Sequence, residues 1–226
     1  MSAGRRGRPV AGALLALICG ACQPQAGSPP PAPARPVLLV GVDAGDWLAI
    51  DALVAQGRLP HFARLRRGGR TALLVATPPL VSPLLWTTLA TGRQPEDHGV
   101  LDFMRDLPGG GQAPVSSRER RAPALWDHFS AAGRSVAVVG WWATHPAEPV
   151  RGTLVSDQLA PQLLRADAAP SQAVWPAEAW PRLAGAVTRP EGVTRAELER
   201  FAPVDEARFA AARAALARRS GTLYQD

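Results

Sequence analysis

The sequence predicts an α/β fold in which a mostly parallel sheet carries helices on both faces. Three observations predict it. Residues 37–42 (VLLVGV) and 135–141 (SVAVVGW) are short, continuous apolar runs rich in β-branched residues, as strands buried on both sides require. Around them, apolar residues recur at helical spacing. The two patterns alternate along the chain, which for parallel strands means right-handed crossovers.

The N-terminus is read separately. Arg5, Arg6 and Arg8 precede an apolar run from Val10 to Ile18 and small residues leading to Cys22, the three parts of an export signal. The run is about half of what a membrane span needs. Leu17 to Cys22 (LICGAC) resembles a bacterial lipoprotein box, which implies that Cys22 carries lipid and anchors the chain to a membrane. Ordinary cleavage and an uncleaved anchor are the alternatives. The expectation is an exported protein, a periplasmic or outer-surface lipoprotein of a bacterium, with a signal peptide over 1–22. Residues 23–36 (QPQAGSPPPAPARP) form a Pro-rich, extended tether, and the domain follows over 37–226. Cys19 and Cys22 both lie in the signal segment, so the domain is expected to hold no internal disulfide and no Cys ligand.

The domain opens on the strand 37–42, and Asp43 stands at its C-terminal end, the end at which open α/β sheets bind ligands. Asp46 caps a helix running to Gln56, with Trp47, Ile50, Leu53 and Val54 at helical spacing and Gly57 as its stop. Pro60 starts a second helix closed by Gly68 and Gly69. Residues 70–77 read as a strand. A helix begins at Ser82 and ends at Gly92, with Ser82 as N-cap and Pro83 at the first helical position. Residues 108–114 are a Gly/Pro loop and 116–121 a charged surface run. A helix over 123–132, with Leu125, Trp126 and Phe129 on one side, leads into the strand 135–141. Residues 161–190 read as loop or broken helix, and Ala/Arg-rich helices cover 194–201 and 205–219.

Composition excludes some functions. The formal charge is +6, every basic residue is Arg, and the chain has no Lys and no Asn. Three of those Arg belong to the signal segment, so the domain is close to charge balance and no nucleic-acid partner is expected. The Arg runs at 64–70 and 118–121 read as solvated faces. Trp86, Trp126 and Trp141 fit core positions, and Trp142, Trp175 and Trp180 less clearly so.

Two residues could carry chemistry. Ser82 followed by Pro83 is an ordinary helix start, yet the same position puts a hydroxyl where helix-end N–H groups and the dipole stabilise negative charge. Asp43 is either a turn residue or a ligand beside Ser82 on one sheet edge.

The pattern V-G-V-D43, then P78-P79-x-x-S82-P83-x-x-W86-T87-T88-x-x-T91-G92-x-x-P95-x-x-H98-G99-V100, resembles the type I phosphodiesterase and nucleotide pyrophosphatase branch of the alkaline phosphatase superfamily. V138-V139-G140-W141-W142-x-T144-x-P146 and V155-S156-D157 resemble it too, so the likeness covers about 35–159. It implies an alkaline-phosphatase-like fold and hydrolysis of small-molecule phosphoesters by a transiently phosphorylated nucleophile between two divalent metals, usually zinc. By position, Ser82 is the implied nucleophile and Asp43 and Ser82 the implied metal ligands. Leu85 stands three residues after Ser82, where nucleotide pyrophosphatases often have Asn. The resemblance expects the other ligands (an Asp with a His four residues on, an Asp-His pair and a last His) in a second half of the domain beyond Asp226, so the chain is expected to hold a C-terminally truncated half of the fold. A catalytically silent product or binding module is the alternative. Asp97-His98 and Asp127-His128 are the only Asp-His pairs. The first belongs to a turn the family does not use for metal, and the second lies in a helix where neighbours point about 100° apart. His61 and His145 beside prolines read as surface or packing. Oligomeric state is not legible.

Overall fold

A computed structural model of the chain describes residues 35–76, 78–165, 170–188, 192–200 and 203–219. The signal segment, Cys22, most of the Pro-rich tether and Thr77 lie outside them. The chain divides into two units, one ending at Val42 and one starting at Asp43.

The described part of the first unit, residues 35–42, has no regular secondary structure. Its apolar side chains are exposed, Val37 and Leu38 each at 86%. This corrects the strand expected over 37–42. Branched apolar residues suit a buried strand, but a strand exists only where neighbours take up its N–H and C=O groups.

In the second unit the first two helices form as the sequence predicts. Helix α1 spans Trp47–Ala55, and the Asp46 carboxylate accepts the Leu48 N–H at 2.9 Å. Helix α2 spans Pro60–Gly68 with Pro60 at its first position, where the missing N–H costs nothing. Residues 71–76 then run without regular structure, with Leu73 82% exposed, so the strand expected over 70–77 is also absent from the described residues.

Helix α3 (Ser82–Thr91) ends at Gly92 in the left-handed region, φ 64°. One turn, α4 (Pro95–His98), follows. Strands β1 (Met104–Asp106) and β2 (Gln112–Pro114) pair as an antiparallel hairpin around the Gly-rich loop. Strand β2 falls inside the 108–114 segment expected to be loop, and β1 carries no expectation, because three-residue strands have too few alternations to register. Helix α5 spans Leu125–Ala131.

Strand β3 (Val136–Trp141) pairs in parallel with β4 (Gly152–Ser156), and β4 pairs antiparallel with β5 (Val174–Trp175). The expected mostly parallel sheet is thus a mixed three-stranded one among the described residues. Gly152 sits opposite Val136 with φ 141°, and a Cβ there would fall 2.0 Å from the Val136 carbonyl oxygen. Only glycine fits.

Both faces of β4 are buried. Leu154 joins Ala90, Ala124, Trp126 and Val138 in one cluster, with Trp141 and Trp175 against it. On the other face Val155 packs with Leu159 and Leu163 of α6 (Leu159–Arg165) and with Ala173, Val174 and Ala179. Alternate residues of one strand point to opposite sides, so helices cover both faces of this strand. Helices α7 (Trp180–Ala184), α8 (Arg195–Glu199) and α9 (Glu206–Arg219) follow among the described residues. No helix among the described residues is long and apolar enough to cross a membrane.

Candidate active site

The N-terminus of α3 is held by its inner face and by one tryptophan. Pro83, Leu84, Thr87 and Ala90 are buried, a stripe at i, i+1, i+4 and i+7 that suits helix burial. Trp141 of β3 donates its indole N–H to the Trp86 carbonyl at 3.1 Å. Its ring meets Trp86 edge-on at 5.1 Å and Trp126 at 5.9 Å, arrangements the ring quadrupole favours. These three are the tryptophans predicted for the core.

Ser82 is the first residue of this helix, not its cap. The cap is Val81, whose carbonyl accepts the Leu85 N–H at 3.0 Å. The expected register is shifted by one, so Pro83 takes the second helical position. Ser82 is half-buried and its hydroxyl makes no hydrogen bond among the described residues, free of the capping duty the sequence suggested. The first N–H groups of a helix have no intrahelical acceptor, and Pro83 contributes none. The open donors beside Ser82 are therefore its own N–H and that of Leu84.

Asp43 lies in a turn with an exposed carboxylate, which accepts the adjacent Ala44 N–H at 3.1 Å. Ala44 has φ 54°. No bond links Asp43 with Ser82. Among the described residues no three His, Cys, Asp or Glu side chains are grouped so as to hold a metal ion. A carboxylate and a hydroxyl are fewer than the three protein ligands a catalytic zinc takes. The described residues do not fit a two-zinc centre.

The histidines divide by place. His61 and His128 are exposed, and His145 is half-buried, its ring held below the ordinary histidine range chiefly by burial. Asp127, weighed as half of an Asp-His pair, accepts the Ala124 N–H at 2.7 Å and caps α5. His98 is fully buried. Its Nδ1 lies 3.1 Å from the Val100 N–H and its Nε2 3.0 Å from the Thr88 hydroxyl.

Two buried polar centres escaped the sequence reading. Asp157 is 4% exposed and accepts the N–H groups of Ala143 and Thr144 at 3.2 and 3.3 Å. Burial outweighs those bonds and raises its carboxyl above the ordinary range. Ala143 has φ 55°, so Asp157 steadies a left-handed turn after β3. The only signal was its place in the V-S-D motif. Arg120, read as part of a solvated run, has a side chain 4% exposed, bonded to Asp127 at 2.9 Å and to Glu148, with its guanidinium over the Trp126 ring at 5.3 Å.

Comparison with curated proteins and with solved structures found no match. The family model of type I phosphodiesterase / nucleotide pyrophosphatase matches residues 37–216, well over half of the chain and including Asp43, Ser82 and His98. The family is one of phosphoester hydrolases, generally metal-dependent, and the chain belongs to the type I phosphodiesterase / nucleotide pyrophosphatase family.

Proposed function

We propose that the chain hydrolyses phosphoesters of small molecules with Ser82 as nucleophile. The observation that supports this is the Ser82 hydroxyl, unengaged among the described residues at the first position of α3, within the segment the family model matches. In the proposed reaction Ser82 Oγ attacks phosphorus and forms an O–P bond, its hydroxyl proton passing to solvent. The ester O–P bond breaks and the alcohol or phosphate leaves with the electron pair. Water then cleaves the phosphoserine and restores the hydroxyl. The open N–H groups of Ser82 and Leu84 and the positive end of the helix favour the anionic phosphoryl group through both steps. Asp43 is proposed as a metal ligand from its place in the family motif; the described residues supply no companion ligands, and the two steps do not depend on a metal.

A second reading is a catalytically silent domain or binding module. It is favoured by Asp43 itself, whose exposed carboxylate holds only the next N–H of its turn among the described residues, as a structural residue does. Turnover of a bis-aryl phosphate by the purified chain, with and without added zinc, separates the two. Ser82→Ala should abolish turnover and covalent labelling by phosphate. Equal turnover in wild type and Ser82→Ala would eliminate the nucleophile reading.

A further inference from the structure

The Thr88–His98–Val100 contacts permit one proton arrangement. The Thr88 hydroxyl lies 3.0 Å from the Leu84 carbonyl and 3.0 Å from His98 Nε2. A carbonyl only accepts, so Thr88 donates to Leu84 and must accept from Nε2–H. On the other side the Val100 N–H only donates, so Nδ1, 3.1 Å away, accepts and carries no proton. His98 is thereby a neutral ring in one tautomer, fully buried and used at both nitrogens. The chain of bonds ends at Leu84, in the turn that opens with Ser82.

The surroundings hold this state. Arg121 donates its backbone N–H to the His98 carbonyl at 2.9 Å, and its guanidinium bonds the Glu96 carbonyl. Gly99 has φ 80°, and a Cβ there would meet Arg121 Nε at 2.7 Å and the Glu119 carbonyl at 2.9 Å, so the backbone closes tightly behind the ring. The charged groups facing the ring are Glu96 and Asp97 of α4 and Arg121 of the following segment, and α3 carries none. Burial dominates and lowers the tendency of the ring to protonate.

We propose that His98 is a positioning residue for the candidate nucleophile: its neutral ring, protonated at Nε2, fixes Thr88 and through it the first turn of α3, where Ser82 stands. This rests on the reading of Ser82 as nucleophile, but the positioning can be measured without turnover. A protonated ring would set an Nδ1–H against the Val100 N–H, so the device works only in the neutral form.

The test uses the full chain. Long-range proton–nitrogen correlation should show His98 protonated at Nε2 alone at neutral pH, titrating below the ordinary histidine range. Mixed tautomers, or titration in or above that range, would overturn the proposal. His98→Gln puts an amide where Nε2 stands and restores the donor to Thr88. His98→Asn reaches only Val100, and His98→Leu reaches neither. Exchange of the Leu85 amide, which closes the first turn on Val81, should quicken about tenfold in the Asn and Leu variants, as loss of a buried hydrogen bond produces. In Gln it should stay within about threefold of wild type. On an aryl phosphate, kcat should fall about as much in Asn and Leu with KM unchanged, and recover in Gln. If Gln is as impaired as Asn, the proposal is wrong, and that comparison decides even if Leu does not fold. If wild type shows no turnover, the nucleophile reading fails and the exchange measurement alone decides the role of His98.

Discussion

Replacing Arg120 by Met tests the least sequence-legible part of the core. The guanidinium is 4% exposed and bonds Asp127 at 2.9 Å, Glu148, and the Ala122 carbonyl at 2.8 Å. Met keeps much of the volume over Trp126 but leaves both carboxylates without their cation. Breaking a buried ion pair by removing one partner costs about 3–5 kcal/mol. Both carboxylates are 29% exposed, and water will meet part of their demand, so about 2–4 kcal/mol is expected. Glu148 gives the prediction a pH signature. Burial raises its carboxyl above the ordinary range despite Arg120, which lowers it, so Arg120→Met raises it further. The stability tied to a raised carboxyl is present below its unfolded value and is lost as pH rises through the folded one. The variant should therefore lose stability over a wider span of rising pH than wild type, and the two should converge in acid, where Glu148 is neutral in both. Urea unfolding at a series of pH values from the carboxylate range to neutrality measures this. A loss below about 0.5 kcal/mol, the size of an ordinary surface change, or a loss that does not shrink in acid, would refute the reasoning.

Gly152→Ala should cost at least 3 kcal/mol, roughly the upper range for local strain, because its Cβ would meet the Val136 carbonyl at 2.0 Å. Gly57→Ala, with φ 71° and nothing within 4 Å, should cost about 1–2 kcal/mol, and equal losses in urea unfolding would show that β3 and β4 do not pair there. Trp141→Phe keeps the ring stack but removes the bond to the Trp86 carbonyl. It should lower stability by about 1 kcal/mol, a fall in Tm of about 2–4 °C. The lipoprotein-like box over 17–22 predicts that mass spectrometry of the chain produced in a bacterium finds diacylglycerol on Cys22, and that Cys22→Ala shifts the chain from the membrane to the soluble fraction. An unlipidated mature chain would point to ordinary cleavage.

Local features of the fold were legible because local chemistry decides them. The Asp46 cap, Pro60 at a helix start and Gly92 at a helix end satisfy or terminate backbone hydrogen bonds within a few residues. Strand β3 was legible as a continuous branched run. The same pattern misled at 37–42 and 70–77, where burial and pairing depend on what lies beside the backbone. The burial of Asp157 and Arg120 was not legible for a related reason: a charged residue goes inside only where distant groups compensate it. For Arg120 those are Asp127 and Glu148.

The sequence by itself determined the family, through the motif from Asp43 to Val100, and the helix that begins at Ser82. It offered Ser82 as a helix cap or a nucleophile without choosing between them, and His98 as a residue of a turn motif. Tertiary structure decided that Val81 takes the capping role, that the Ser82 hydroxyl is free of it, and that His98 is buried with both ring nitrogens engaged. The physical reason is that a hydroxyl or an imidazole has several possible partners: the Nδ1 partner of His98 is two residues on, but its Nε2 partner, Thr88, is ten residues back on another helix.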